Sequence, residues 1–335
     1  MVTSIRDIDV ALGSSDFTRA ELVLIATVAD RLGVGNLYLT EGPGRDAFSV
    51  LTELAVATEH IGLGTGIVNV FSRTPTAIAQ ATATVLEVMG ERTFNLGLGT
   101  SGKLLMRKYH GADFDRPVSR MRETVRIIDH AFTTGKLPDG GDIFALAGLP
   151  LGIDAPRDRL RISVAGLSDR TLQVTGEDAD GWLPIWVSQK HGAEVLKVVA
   201  DAAENAGKPK PVVSAYLYGG VGNDERLRKF TKATLAWYVA ANGTAYRRLF
   251  ERYGYTEEMD HICGLWAKGE REKARAEVPD HLLDDTALLG EPEEFLAQAD
   301  RFHRMGVDRP VLRLQGQLGA ADCVGMLGRL AAVTA

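Results

Sequence analysis

The chain has 335 residues, 45% of them apolar and 24% charged, and its 38 basic and 44 acidic side chains give a net charge of −6. A chain of this length can bury about three quarters of its unfolded surface, and the composition excludes disordered, collagen-like and disulfide-scaffold classes. No long run of either sign is present, so there is no electrostatic footprint for nucleic acid or an anionic membrane, and a small-molecule ligand is the default partner. Cys263 and Cys323 are the only cysteines, which fits reduced thiols and excludes a metal finger. Arg6, Asp7 and Asp9 stand where a signal peptide would need an apolar stretch, and the longest uncharged apolar run, 22–29, is too short to span a bilayer. A cytoplasmic protein is expected.

Residues 8–12 form a short apolar run that reads as a strand. Thr18 and Glu21 then make a capping box, and apolar residues at helical spacing follow until Gly33 supplies a left-handed stop. A second strand is predicted at 37–39, a helix at 45–58 and a Gly-interrupted strand at 61–68. Thr74 caps the third helix, with Pro75 at its first position, where the missing N–H costs nothing. Strand four follows at 94–98, then a helix at 115–132, a Gly/Pro-rich excursion at 136–159 and a strand at 160–164. The pattern goes on with a short helix at 168–176, a strand at 181–186, a helix at 192–205 and strands at 212–217 and 310–314, and a helix at 320–332 closes it. Between the last two strands, 223–305 is long, charged and mostly helical by its pattern, and it is expected as an insertion over one end of the fold.

The string GLGT at 62–65 returns at 97–100, 35 residues later, both times at the end of a predicted strand. That interval is one βα unit, and 335 residues divided by eight gives about 42 per unit, so the expected class is α/β, a single (β/α)8 TIM barrel with insertions spanning 1–335. A doubly wound open sheet is the structural alternative.

The run G-L-G-T-S-G at 97–102 matches G-x-G-x-x-G, and with Lys103 it nearly matches a phosphate loop. Leu104, however, stands where the Mg²⁺-holding hydroxyl belongs. The dinucleotide fold needs its glycines after the first strand, far from position 100. None of the seven histidines makes an i, i+4 pair, no H-E-x-x-H occurs, and Ser101 lacks the G-x-S-x-G frame, so metal and hydrolase templates fail. Glu41 ends the second strand with glycines beside it, where barrel side chains face an active site. Pairing with Arg45 and capping the next helix is the alternative role for that carboxylate.

The segments EGPGRDAF at 41–48, IGLGTGIVN at 61–69 with RTP at 73–75, and ERTFNLGLGT at 91–100 resemble the bacterial-luciferase-like superfamily. So do RPVSRMRE at 116–123, ISVAG at 162–166 and GEDADGW at 176–182. Within it the chain is most similar to the branch that uses the deazaflavin coenzyme F420 and includes methylenetetrahydromethanopterin reductase. The resemblance covers about residues 8–190 well and the rest in outline.

The resemblance implies a barrel with a flavin-like ring at the carboxyl ends of the strands, commonly in a homodimer. It implies a non-proline cis peptide at Gly66-Ile67, with Gly66, Ile67, Val68 and Asn69 as cofactor contacts. Thr100 and Ser101 are further contacts, and Ala165, Gly166, Leu167 and Ser168 make the turn that receives the cofactor phosphate. Ser168 can also cap a helix whose N-terminal N–H groups favour an anion. Trp186 is placed on the substrate side.

Glucose-6-phosphate dehydrogenases of this family carry Asp-His after strand two and Glu after strand four, whereas this chain has Glu41-Gly42 and Gly102. The implied reaction is hydride delivery from reduced F420 to a C=C or C=N bond of a small molecule or modified peptide, with Glu41 placing or donating a proton. An FMN-dependent monooxygenase and a non-catalytic flavin-binding protein are the alternatives.

Overall fold

The computed structural model describes residues 1–333. Its centre is a closed parallel barrel of eight strands: β1 (Asp9–Gly13), β2 (Asn36–Thr40), β3 (Gly62–Asn69), β4 (Phe94–Gly99), β5 (Leu160–Ala165), β6 (Gly181–Trp182), β7 (Val212–Val221) and, last in the chain, β9 (Arg309–Arg313). Each pairs with the next in parallel register. Closure comes from β7 beside β9 (Tyr218 opposite Arg313) and β9 beside β1 (Arg313 opposite Ala11). The expected (β/α)8 barrel is therefore the observed one, and the open sheet is excluded. Strands such as β1 and β4 are buried at every position, as parallel strands sheathed by helices must be.

The helices begin and end where local chemistry dictates. In α1 (Arg19–Leu32) the Thr18 side chain accepts from the Glu21 N–H, Glu21 returns the bond to the Thr18 backbone, and Gly33 closes the helix at φ 81°. In α3 (Pro75–Met89) Thr74 accepts from the Ala77 N–H. Around the barrel, α2 (Ala47–Ala57), α5 (Pro117–Thr134), α6 (Asp169–Asp178), α7 (Gly192–Asn205) and α14 (Ala320–Ala332) cover the outer face of the strands. Inside, Ala11, Tyr38, Leu183, Tyr216 and Val311 form a separate buried cluster, with Ile67, Ala165 and Ile185 packed on it. A barrel interior filled this way is a floor, not a pore.

Some elements depart from the sequence expectation. The sixth strand is not 181–186: its ladder spans only Gly181–Trp182, with one further bridge from Ile185 to Tyr216. Pro184, which has no N–H to donate, interrupts it. The helix α4 (Lys103–Tyr109) and a short hairpin pairing Asp139 with Ala147 were not expected.

The stretch 223–305 holds α8 (Glu225–Ala241), α9 (Thr244–Arg252), α10 (Thr256–Ala267), α11 (Arg271–Ala276), α12 (Asp280–Thr286) and α13 (Pro292–Met305). It also contains a ninth strand, β8 (Ala287–Gly290), which lies along the far end of β7. Buried Asp285 pins this stretch to the loop after β6, accepting from Ser188 Oγ (2.5 Å), Tyr255 Oη (2.9 Å) and the Lys190 N–H (3.0 Å). No described helix is long and apolar enough to cross a membrane.

Candidate active site

The carboxyl ends of β2, β3, β4 and β5 form a shelf built largely from backbone. The register between β3 and β4 shifts between Thr65 and Val68, and the Gly66-Ile67 peptide is cis. Thr65 Oγ1 ties the bulge to β4 by donating to the Gly97 carbonyl at 2.9 Å. Glycine is required here by space. A Cβ on Gly66 would fall on the Tyr216 hydroxyl, one on Gly99 would meet Ile67 Cδ1 at 2.7 Å, and one on Gly97 would run into the Thr65 carbonyl. Beneath the shelf, the Tyr216 hydroxyl is buried with no hydrogen-bond partner among the described residues. Burial pushes its pKa well above the usual phenol value, so it is a neutral O–H.

Gly66, Ile67, Thr100 and Ser101 are half-buried along this shelf, and Ser101 sits in the left-handed region at φ 55°. Such a conformation in a non-glycine residue is held by its surroundings. Val68 is wholly buried. Asn69 Oδ1 accepts from the Phe71 and Ser72 N–H groups at 3.0 and 2.8 Å, so it shapes the loop that leaves β3. Across from it, Ala165 ends β5 against the inner cluster and Gly166 turns the chain. The Gly166 carbonyl accepts from Trp182 Nε1 at 3.0 Å. Leu167 packs on the core, while Ser168 is exposed and caps α6, its N–H donating to Thr171 Oγ1 at 3.0 Å. The N–H groups of the next residues remain at the helix start, the polarity that favours an anion.

Glu41 lies at the end of β2, but its partner is Arg73 and not Arg45. Arg73 binds both carboxylate oxygens, at 2.6 and 2.8 Å, and the Ala47 N–H donates to one of them at 2.9 Å. Arg73 also bonds Asp46. Burial raises the Asp46 pKa, yet bonds from Ser49 and Arg73 outweigh it and hold the carboxyl below its usual range. Arg45 donates instead to the Ser14 and Phe17 carbonyls at 2.8 and 2.9 Å.

The other half of the mouth is made by side chains. Trp186 is fully buried at φ 55° and stacks on Tyr218 with centroids 4.7 Å apart. Tyr218 and Tyr238 pair through their hydroxyls at 3.1 Å. Both line a cavity of about 1390 Å³ that runs along α8 and reaches Arg313, Asp16 and Gln315. Trp186 is screened from that cavity by the two tyrosines it touches. Arg73, Trp182, Tyr216, Tyr218 and Arg313 escaped sequence reasoning. Their signals were weak, a Tyr-x-Tyr alternation in strand seven and an arginine at the far end of a last strand that reads RPVLR.

The closed barrel, with a backbone-built shelf across the ends of β2 to β5, defines a (β/α)8 protein. The chain belongs to the luciferase-like monooxygenase family, whose model matches residues 2–309. It is 26% identical over 321 residues to a candidate coenzyme F420-dependent oxidoreductase of Mycobacterium tuberculosis, covering 88% of this chain and 89% of that one. It is 28% identical over 307 residues to the 5,10-methylenetetrahydromethanopterin reductase of Archaeoglobus fulgidus, covering 88% and 90%. Its fold matches that of the coenzyme F420-dependent tetrahydromethanopterin reductase of Methanopyrus kandleri with a TM-score of 0.81 at 21% identity, over 95% and 96% of the two chains.

Proposed function

We propose that the protein is an F420-dependent oxidoreductase that reduces a C=C or C=N bond of a small molecule or modified peptide. The observation that carries this reading is the bulged shelf of β3 and β4, where Gly66 packs on Tyr216 and Gly99 on Ile67 too closely for any Cβ, so that backbone forms its surface, above a buried phenol without a partner among the described residues. A planar tricyclic ring fits such a seat, and the start of α6 beside Ser168 suits its phosphate. The relative named for F420 supports the identity of the ring. When bound, reduced F420 supplies a hydride.

The chain's own residues do the rest. Gly66, Ile67 and Asn69 shape one side of the seat, Thr100 and Ser101 offer hydroxyls at its edge, and the turn from Ala165 to Ser168 holds the phosphate-bearing arm. Glu41 fixes Arg73 and the first turn of α2, which keeps the wall of the seat in place. Fluorescence titration with F420, with the absorbance and mass of whatever copurifies, tests the reading: micromolar or tighter F420 binding is expected, and no binding refutes it.

The family description favours a second reading, an FMN-dependent monooxygenase. It requires FMN to bind more tightly than F420 and the reduced complex to consume O₂ with substrate.

A further inference from the structure

Tyr216 and Tyr218 are two residues apart on β7 and so face the same side of the strand, one layer or about 6.6 Å apart along it. Tyr216 touches the underside of the ring seat at Gly66. Tyr218 therefore stands one layer higher, at the level of the seat, and it lines the large cavity. Its ring is held by the stacked Trp186, and its hydroxyl by Tyr238 at 3.1 Å. Arg313 lies directly opposite on β9, largely buried and paired with Asp16 at 2.5 Å. Two hydroxyls that bond each other use one proton between them, so the pair has one O–H left to give.

We propose that Tyr218, coupled to Tyr238 and backed by Arg313, is the proton donor to a carbonyl or imine acceptor of the substrate held in this cavity. The inference rests on the reductase reading above and deepens it. A hydride from the reduced cofactor adds to the carbon of C=N, or to the β-carbon of an enone. The π electron pair moves to the nitrogen or the carbonyl oxygen, and that atom takes the Tyr218 proton. The phenolate left behind accepts from Tyr238 and faces the Arg313 guanidinium until water returns a proton. Burial holds the Tyr218 pKa above the usual phenol value, although Arg313 opposes this, so the donor is loaded at neutral pH. Glu41, with both oxygens engaged by Arg73, is a poorer candidate for the same task.

The test uses the F420-loaded protein, 2-cyclohexenone as the probe, and the variants Tyr218→Phe and Tyr238→Phe. F420 affinity should stay within about three-fold in both variants. Binding of the enone to the oxidised complex, read from tryptophan emission, should weaken about ten-fold in Tyr218→Phe, the worth of one hydrogen bond. Single-turnover oxidation of reduced F420 at saturating enone should slow by about 10²-fold in Tyr218→Phe, and by less in Tyr238→Phe. Failure of the wild-type complex to bind the enone, or equal affinity and rate in Tyr218→Phe, overturns the proposal. Failure of the wild-type protein to bind F420 defeats the reductase reading instead.

Discussion

Gly66 is the position where shelf and floor can be tested against each other. An alanine there would place its Cβ on the Tyr216 hydroxyl, 2.6 Å from Tyr216 Cζ and 3.2 Å from Tyr38 Cβ. Tyr216 and Tyr38 are both buried and packed edge to face with centroids 5.8 Å apart, so neither ring has room to withdraw. Overpacking of this kind costs about 1–3 kcal/mol, and because the displaced atoms form the seat, F420 affinity should fall at least ten-fold, the equivalent of about 1.4 kcal/mol. Tyr216→Phe alone removes a buried hydroxyl that has no partner, so it should be neutral or stabilise by about 1 kcal/mol. Combined with Gly66→Ala it removes the worst contact but leaves ring carbon at 2.6 Å, so rescue should be partial. Urea melts and F420 titrations on the four proteins give the coupling energy. Additive effects, or a Gly66→Ala variant with wild-type stability and affinity, would refute the placement of Tyr216 beneath the seat.

Glu41→Gln should lower stability by about 1–3 kcal/mol in urea melts, because it removes the more buried of the two carboxylates that Arg73 pairs with and leaves Asp46 to balance its charge. Single-turnover hydride transfer should stay within a few-fold; a hundred-fold slowing with unchanged stability would return the proton role to Glu41. Trp182→Phe strips the Gly166 carbonyl of its donor in a buried setting, costing about 1–3 kcal/mol, and should weaken F420 binding while circular dichroism stays unchanged. Asp285→Ala leaves Ser188, Tyr255 and the Lys190 N–H without their acceptor, and should raise protease cleavage within 223–305 before the barrel unfolds. Burial raises the pKa of Tyr216, Tyr218 and Tyr238 and brings Tyr246 to about 12. The unfolded chain ionises these phenols near their ordinary value of about 10, so their contribution is complete below that pH and is lost as pH rises through the folded values. Alkaline unfolding followed by phenolate absorbance should be cooperative, and gradual ionisation of all tyrosines from pH 10 would contradict the burial.

What could be read from the sequence is what short-range chemistry determines. Thr18 with Glu21, and Thr74 with Pro75, mark helix starts because the bonds span three residues. Of the two GLGT strings expected at strand ends, 97–100 closes β4 while 62–65 opens β3, and what they share is the close backbone approach that glycine permits at Gly64 and Gly97. The shelf at 66–69 and the turn at 165–168 were found through the resemblance, and their backbone placement follows from the same local segments. What escaped depends on distance along the chain. Glu41 meets an arginine 32 residues away, while the nearby Arg45 is drawn to two carbonyls of the β1 to α1 loop. The β8 strand, Ala287–Gly290, is too short for a periodic signal and exists because β7 runs past the barrel rim and offers it an edge. Trp186, expected on the substrate side as the last residue of the predicted strand 181–186, lies beyond the ladder at a left-handed φ and is buried behind Tyr218.

The two halves of the mouth impose different kinds of selectivity. The proposed seat is backbone packed tightly from below, and such a surface cannot by itself tell a deazaflavin from a flavin, which differ in whether position five is carbon or nitrogen. That choice falls to polar groups at the edge. Asn69 has spent its oxygen on the Phe71 and Ser72 N–H groups, so only its amide N–H groups remain to face a ligand, and they reward an acceptor while leaving an opposing N–H unpaired. The β7 to β9 half is the reverse: Tyr218, Tyr238 and the Arg313 to Asp16 pair present directional groups around a large space, so substitution there should change which substrate reacts while the ring stays bound. Because β7 contributes Tyr216 to the first half and Tyr218 to the second, in the proposed reaction the strand would set the height of the substrate's acceptor above the ring by its own two-residue repeat. In that proposal the geometry of transfer is fixed by backbone spacing and not by the helices of 223–305.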